Sequence, residues 1–172
     1  MPDASPPLPR PEIRDTIGAV LGRTPSGLFV LTSRSADGRE TGLLASWVQQ
    51  ASFEPPMITV AVNRKRFLHD WLAKAPLVAL NLIGEGQKQF LKHFGAGFEP
   101  GAPAFEGLHI RRGETGVPIL AEALGYLEGR ICGQMETGDH VVYAVEILAA
   151  GEGPGFAEAA PWVHVRKNGF NY

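Results

Sequence analysis

Two adjacent prolines, Pro55 and Pro56, constrain this chain more than any other feature. Neither can donate a backbone hydrogen bond, so together they end any β ladder that reaches them. They divide the stretch Gly42 to Val62, GLLASWVQQASFEPPMITVAV, into halves of different character. After them, Met57, Ile58, Val60 and Val62 are apolar and mostly β-branched, which predicts a strand over 57–62. Before them, a strand beginning at Gly42 gives way to a kinked crossing of small and polar residues. Ala45, Ser46, Gln49, Gln50 and Ser52 stand where a buried strand would carry branched aliphatics. Such a run lets a flat polar ligand come close to the backbone and offers hydrogen-bond donors to it.

The rest of the chain reads as strands with a few short helices inserted. Prolines at 2, 6, 7, 9 and 11 predict a mobile lead-in over residues 1–11, so one folded domain is expected over 12–172. Ile13, Ile17, Val20 and Leu21 recur at helical spacing and predict a helix over 12–22. Gly27 to Thr32 reads as a strand, and Ala36-Asp37-Gly38 as the turn that follows it. Beyond strand 57–62 comes the cluster Asn63-Arg64-Lys65-Arg66, then Phe67, Leu68, Trp71 and Leu72 at helical spacing. A cationic strand-to-helix junction can present both charge and free N–H groups to a phosphate; a solvated basic turn is the other reading.

Leu77 to Ile83 is too apolar to face water and predicts a central strand. Asn81 interrupts it, and a buried amide there needs partners, either neighbouring backbone or the edge of a ligand ring. Gly84-Glu85-Gly86 is a turn, without the third glycine or the βαβ setting of a dinucleotide fingerprint. Gln87 to Phe94 predicts a helix with Phe90, Leu91 and Phe94 inward. Residues 95–107 form a Gly/Pro-rich loop carrying Phe98 and Phe105, either a lid or a cover for an edge of the core. Further strands are expected at 108–112, as one long segment over 118–131, at 140–150 and at 162–165. The class is therefore mainly β with inserted short helices, in a closed or split antiparallel barrel.

Several classes of function are disfavoured. A formal charge of −2 over 172 residues gives no electrostatic reason to expect nucleic acid or an anionic membrane as partner. No apolar run approaches the length of a bilayer span, and the N-terminus lacks the basic-then-apolar order of a secretory signal. A single cysteine, Cys132, rules out an intrachain disulfide, so a cytoplasmic location is expected. The histidines at 69, 93, 109, 140 and 164 have no metal-ligand spacing, and no nucleophile elbow or phosphate-binding lysine loop occurs. These absences shift weight toward a cofactor that carries the chemistry itself.

The stretch 42–62 resembles the flavin reductase-like, FMN-binding split-barrel family. The resemblance is closest to the flavin reductase domain at the C-terminus of cyanobacterial flavodiiron proteins. It continues through Ala79 to Ile83, Phe90 to Phe94, Pro118 to Glu128, Gly138-Asp139-His140 and Val163 to Gly169, in that order. It implies bound FMN, with FAD possible, and NADH or NADPH as co-substrate. It also implies that Ala45, Ser46 and Trp47 lie along the flavin ring, although Trp47 can equally be barrel packing. Gln49, Gln50 and Ser52 would then meet the ribityl chain or phosphate. Arg64 and Arg66 would take the phosphate, and Lys92 and Phe94 would lie in the helix that closes the pocket. His140, on the turn beside the flavin face, would orient nicotinamide; the alternative is a turn histidine with local backbone contacts. The cyanobacterial domains usually follow this histidine with tryptophan, where Val141 stands here.

The expected activity is an NAD(P)H:flavin oxidoreductase passing electrons to free flavin, a partner protein or a monooxygenase. The alternatives are an FMN-binding electron carrier without a productive nicotinamide site and, more distantly, a non-redox ligand-binding barrel. The resemblance also implies a homodimer. The flavodiiron modules are not present in these 172 residues, so the acceptor is expected to be separate.

Overall fold

The computed structural model describes residues 10–171, and the chain divides into two units, 1–26 with 164–172 and 27–163. The mobile lead-in expected over 1–11 falls almost wholly on residues 1–9, which lie outside the described ones. Pro11 already begins helix α1 (Pro11–Arg23), at a position where a missing N–H costs nothing. In this first unit the returning C-terminal segment lies against α1, with Arg166 N–H donating to Gly22 O and Gly169 N–H to Gly18 O, both at 2.6 Å. Gly22 permits that approach, because a Cβ there would lie 2.7 Å from the Arg166 carbonyl oxygen.

The second unit holds the strands. In chain order they are β2 (Phe29–Arg34), β3 (Glu40–Ala45), β4 (Val48–Ser52), β5 (Met57–Asn63), β6 (Leu77–Leu82), β7 (Ile110–Arg112), β8 (Pro118–Leu120), β9 (Gly125–Thr137) and β10 (His140–Glu152). Two-residue strands, β1 (Ser26–Gly27) and β11 (Val163–His164), mark where the chain passes between units. Helices α2 (Leu68–Leu72) and α3 (Lys88–Phe94) are short. No helix among the described residues is long and apolar enough to cross a membrane.

Seven strands form one antiparallel sheet in the order β3-β2-β6-β9-β10-β5-β4. Its two edges, β3 and β4, are consecutive in the chain, joined only by Ser46 and Trp47. A sheet whose edges are that close must curl round on itself, which gives the split barrel that the strand pattern predicts. Inside, alternate residues meet: Ile58, Val60 and Val62 of β5 with Leu31, Leu80, Tyr143 and Val145. Each aliphatic so buried contributes about 1.5–3 kcal/mol. A second core forms where Phe90 and Phe94 of α3 cover Leu28, Val30 and Ile83. Gly42 sits under the Phe94 ring, and a Cβ there would come within 2.7 Å of it.

Two expectations are corrected. The crossing before the prolines forms a strand of its own, β4, because its backbone pairs with β5 from Val48↔Val60 to Ser52↔Met57. The long segment expected over 118–131 is two strands: Ala123 N–H bonds Leu120 O in a turn, and β9 starts at Gly125 and runs on to Thr137. Helix α2 follows the basic cluster where the helical spacing places it, with a turn at 64–65 between β5 and α2.

Candidate functional site

The break between β3 and β4 is the centre of the site. Ser46 is 7% exposed, and its Oγ has no hydrogen-bond partner among the described residues. A buried hydroxyl without a partner is costly, on the order of 1–3 kcal/mol. The Trp47 carbonyl oxygen accepts Ala61 N–H at 3.0 Å, which fixes the bend to β5. Its indole is 36% exposed and lies 4.6 Å, centroid to centroid, from the His140 imidazole at an angle of 44°.

His140 opens β10 and stands opposite Asn63 of β5 on one side and Thr137 of β9 on the other. It is 4% exposed, with Nδ1 at 2.7 Å from Asp139 Oδ1. The hydrogen bond to this imidazole, and then its charge, hold the Asp139 carboxyl below its ordinary range. Asp139 also accepts Arg64 N–H at its carbonyl oxygen, at 2.9 Å, so the Gly138-Asp139-His140 turn and the basic turn are tied together. Gly138, at φ 57°, takes the left-handed conformation the turn requires.

The cations of the basic turn diverge. Arg64 pairs with Glu136 of β9. Arg66 reaches the opposite way, with Nη1 at 3.4 Å from Ala96 O and its guanidinium lying against Gly97, just past α3. The Asn63 side-chain oxygen accepts Lys65 N–H at 3.0 Å, and the Asn63 carbonyl accepts Arg66 N–H at 3.0 Å. Gln49 and Gln50 are exposed on β4, with Ser52 half-buried at its end; Lys92 is exposed on α3. Ala45 is buried in the barrel core at the rim of the split.

Two of the expected contact residues are core residues. Asn81 is fully buried, its Nδ2 donates to Val30 O at 3.0 Å and its Oδ1 accepts Leu120 N–H at 2.8 Å. Of its two alternatives, the backbone one holds: the amide stitches β6 to β2 and β8. Phe94 is 1% exposed and packs with Phe98 and Phe105, so it supports Gly42 from behind. Val141 points into the barrel interior at 6% exposure, so its side chain does not line the rim beside His140. Sequence reasoning missed His69 and Glu136, which contact Asn63 and Arg64, and Tyr143, which contacts His69; these are tertiary pairings with no local spacing to mark them.

Residues 21–171 match the model of the flavin reductase like domain. The chain belongs to the flavin reductase-like family. Within it, Diflavin flavoprotein A 1 of Synechocystis sp. is 37% identical over 153 residues, covering 88% of this chain and 26% of that protein. The chain thus spans about a quarter of the length of the curated relatives it matches. Among solved structures, the NADH:FAD oxidoreductase SgcE6 of Streptomyces globisporus C-1027 is 27% identical, with a TM-score of 0.78 over 94% of this chain and 93% of that one. A second structure of SgcE6, in complex with NAD and FAD fragments, is 25% identical with a TM-score of 0.76 over 93% of each chain. The family's split-barrel fold is the one described above. No group of three His, Cys, Asp or Glu side chains among the described residues is arranged to hold a metal.

Proposed function

We propose that the protein is an NAD(P)H:flavin oxidoreductase holding FMN, or FAD, at the β3–β4 split. The observation that carries this reading is the juxtaposition at the split: the unpartnered Ser46 hydroxyl beside the tilted Trp47–His140 ring pair. A buried hydroxyl next to small residues and an aromatic ring suits a flat heteroaromatic ligand with acceptors on its edge. The cations of residues 64–66 suit its phosphate. Bound flavin would supply the hydride-accepting ring, which the chain's own side chains lack.

The chain's residues then divide the work. Ala45 keeps the bend narrow, Ser46 offers its hydroxyl to the ring edge, and Trp47 shields one side of it from water. Gln49, Gln50 and Ser52 lie along the edge strand within the reach of a ribityl chain. Arg66, Arg64 and Lys92 meet phosphate charge. His140, held by Asp139, presents its imidazole to nicotinamide and balances negative charge on the reduced cofactor. Asn81 and Phe94 act through the fold, by fixing β6 and supporting Gly42.

The relative SgcE6, named for NADH and FAD and solved with fragments of both nucleotides, supports a nicotinamide donor and a flavin here. The diflavin relative supports transfer to a redox partner, either free flavin, another flavoprotein or a monooxygenase. We propose a homodimer working in the cytoplasm.

One observation favours a second reading, an FMN-binding electron carrier. His140 is 4% exposed and packs against the Trp47 ring, so little of its imidazole is open to nicotinamide in this arrangement. The absorbance spectrum of purified protein tests both. A flavin spectrum that bleaches with NADH or NADPH under nitrogen supports the oxidoreductase, and one that does not bleach supports the carrier. Protein that neither retains nor takes up flavin would leave only a non-redox barrel.

A further inference from the structure

His69, on α2, has no role in the reading above, yet both of its ring nitrogens are engaged. Nε2 lies 2.9 Å from the Asn63 carbonyl oxygen and Nδ1 lies 2.6 Å from the Tyr143 hydroxyl. A carbonyl oxygen can only accept, so Nε2 carries the proton and Nδ1 accepts from the Tyr143 O–H. Tyr143 is 3% exposed in the barrel core, on the same strand as His140. Asn63 faces His140 directly across β5 and β10, and its two oxygens close the turn that bears Arg64, Lys65 and Arg66. The chain Tyr143–His69–Asn63 therefore runs from the strand of the histidine to the hinge of the basic turn.

We propose that His69 is a positioning residue for the phosphate end of the cofactor. It tethers the 63–66 turn from beneath and keeps it in register with His140. This inference rests on the reading of that turn as a phosphate anchor. The tether acts on the turn and not on the Ser46–Trp47 bend, so its loss is felt by a ligand's phosphate and not by its ring. A residue that only stabilised the barrel would affect both parts of the ligand alike.

Equilibrium binding of FMN and of riboflavin to the full chain, followed by flavin fluorescence, tests this. His69→Leu removes both bonds and should weaken FMN binding roughly tenfold while leaving riboflavin within about twofold. His69→Gln spaces an amide oxygen and nitrogen much as the imidazole spaces its nitrogens, and should retain FMN affinity. Tyr143→Phe keeps the core volume and loses one bond; it should show a smaller loss confined to FMN, and it serves if His69→Leu does not fold. FMN binding unchanged in the Leu and Phe variants, or equal losses for FMN and riboflavin, would overturn the proposal. A wild-type protein that binds riboflavin as tightly as FMN would overturn the phosphate reading itself, and this inference with it.

Discussion

The Trp47 indole lies over the His140 imidazole at 4.6 Å, although one residue joins the sheet's two edge strands and the other starts its longest hairpin return. The pair brings together the ring-facing bend and the nicotinamide-facing turn of the proposed site. The indole packs against the imidazole, which is 4% exposed.

His140→Ala should leave the protein yellow, because the proposed flavin anchors lie on 45–52 and 64–66. Its reduction by NAD(P)H should slow by about tenfold or more, equivalent to about 1.4 kcal/mol of transition-state stabilisation. Reduction by dithionite should be unchanged. Anaerobic stopped-flow bleaching at equal flavin occupancy measures this, and an unaltered rate would remove His140 from the mechanism.

The two arginines should not be equivalent. Arg64 is already paired with Glu136, whereas among the described residues the Arg66 side chain makes one long bond, to Ala96 O. Arg66→Ala should weaken FMN binding by about 1.5–3 kcal/mol and Arg64→Ala by less, with riboflavin nearly indifferent to both. Isothermal titration with the two flavins compares them directly. Equal losses for FMN and riboflavin would assign the cluster to the fold.

Asn81→Ala should destabilise the protein by on the order of 3 kcal/mol, because Leu120 N–H and Val30 O lose their shared partner in a fully buried place. Urea unfolding of the variant measures the loss. A midpoint matching wild type would show that other groups take over these bonds.

Asp139 gives a pH signature. Its folded-state carboxyl titrates below the ordinary 3.8, so its contribution is present above that value and is lost as pH falls through the lowered one. The contribution is small, since the carboxylate is exposed to solvent. The stability gap between wild type and Asp139→Asn, followed downward from about pH 5, should therefore close below pH 4. Urea midpoints across that range follow it, and a gap that persists at the acid end would assign the effect to something other than this carboxylate.

The proposed homodimer should appear by light scattering at twice the mass of the 18.5 kDa chain. A monomer that held FMN tightly would show that each barrel completes its own site.

Much of the scaffold was legible in the sequence. Strand β5, the central strand β6 and helix α3 follow from runs whose period and branching allow little else, and Pro55 and Pro56 mark the break between β4 and β5. The order of motifs also indicated the family. Helix α1 extends one residue beyond the expected span at each end, a matter of capping.

The partners of individual side chains were not legible. Asn81 reads as a polar interruption in an apolar strand, and only the fold shows that Val30 O and Leu120 N–H meet its amide. Arg64 and Arg66 look alike in the sequence, but they point to opposite structures because β9 and the loop after α3 reach the turn from different sides. His69 carries no local signal, since its partners are a core tyrosine and a strand-end carbonyl. Local periodicity follows from the backbone geometry of each segment, so the amino-acid order by itself determined which residues form strands and which faces are apolar. Which side chains meet across the barrel depends on strand order and register, set by burying those faces together, and only the tertiary structure decided it.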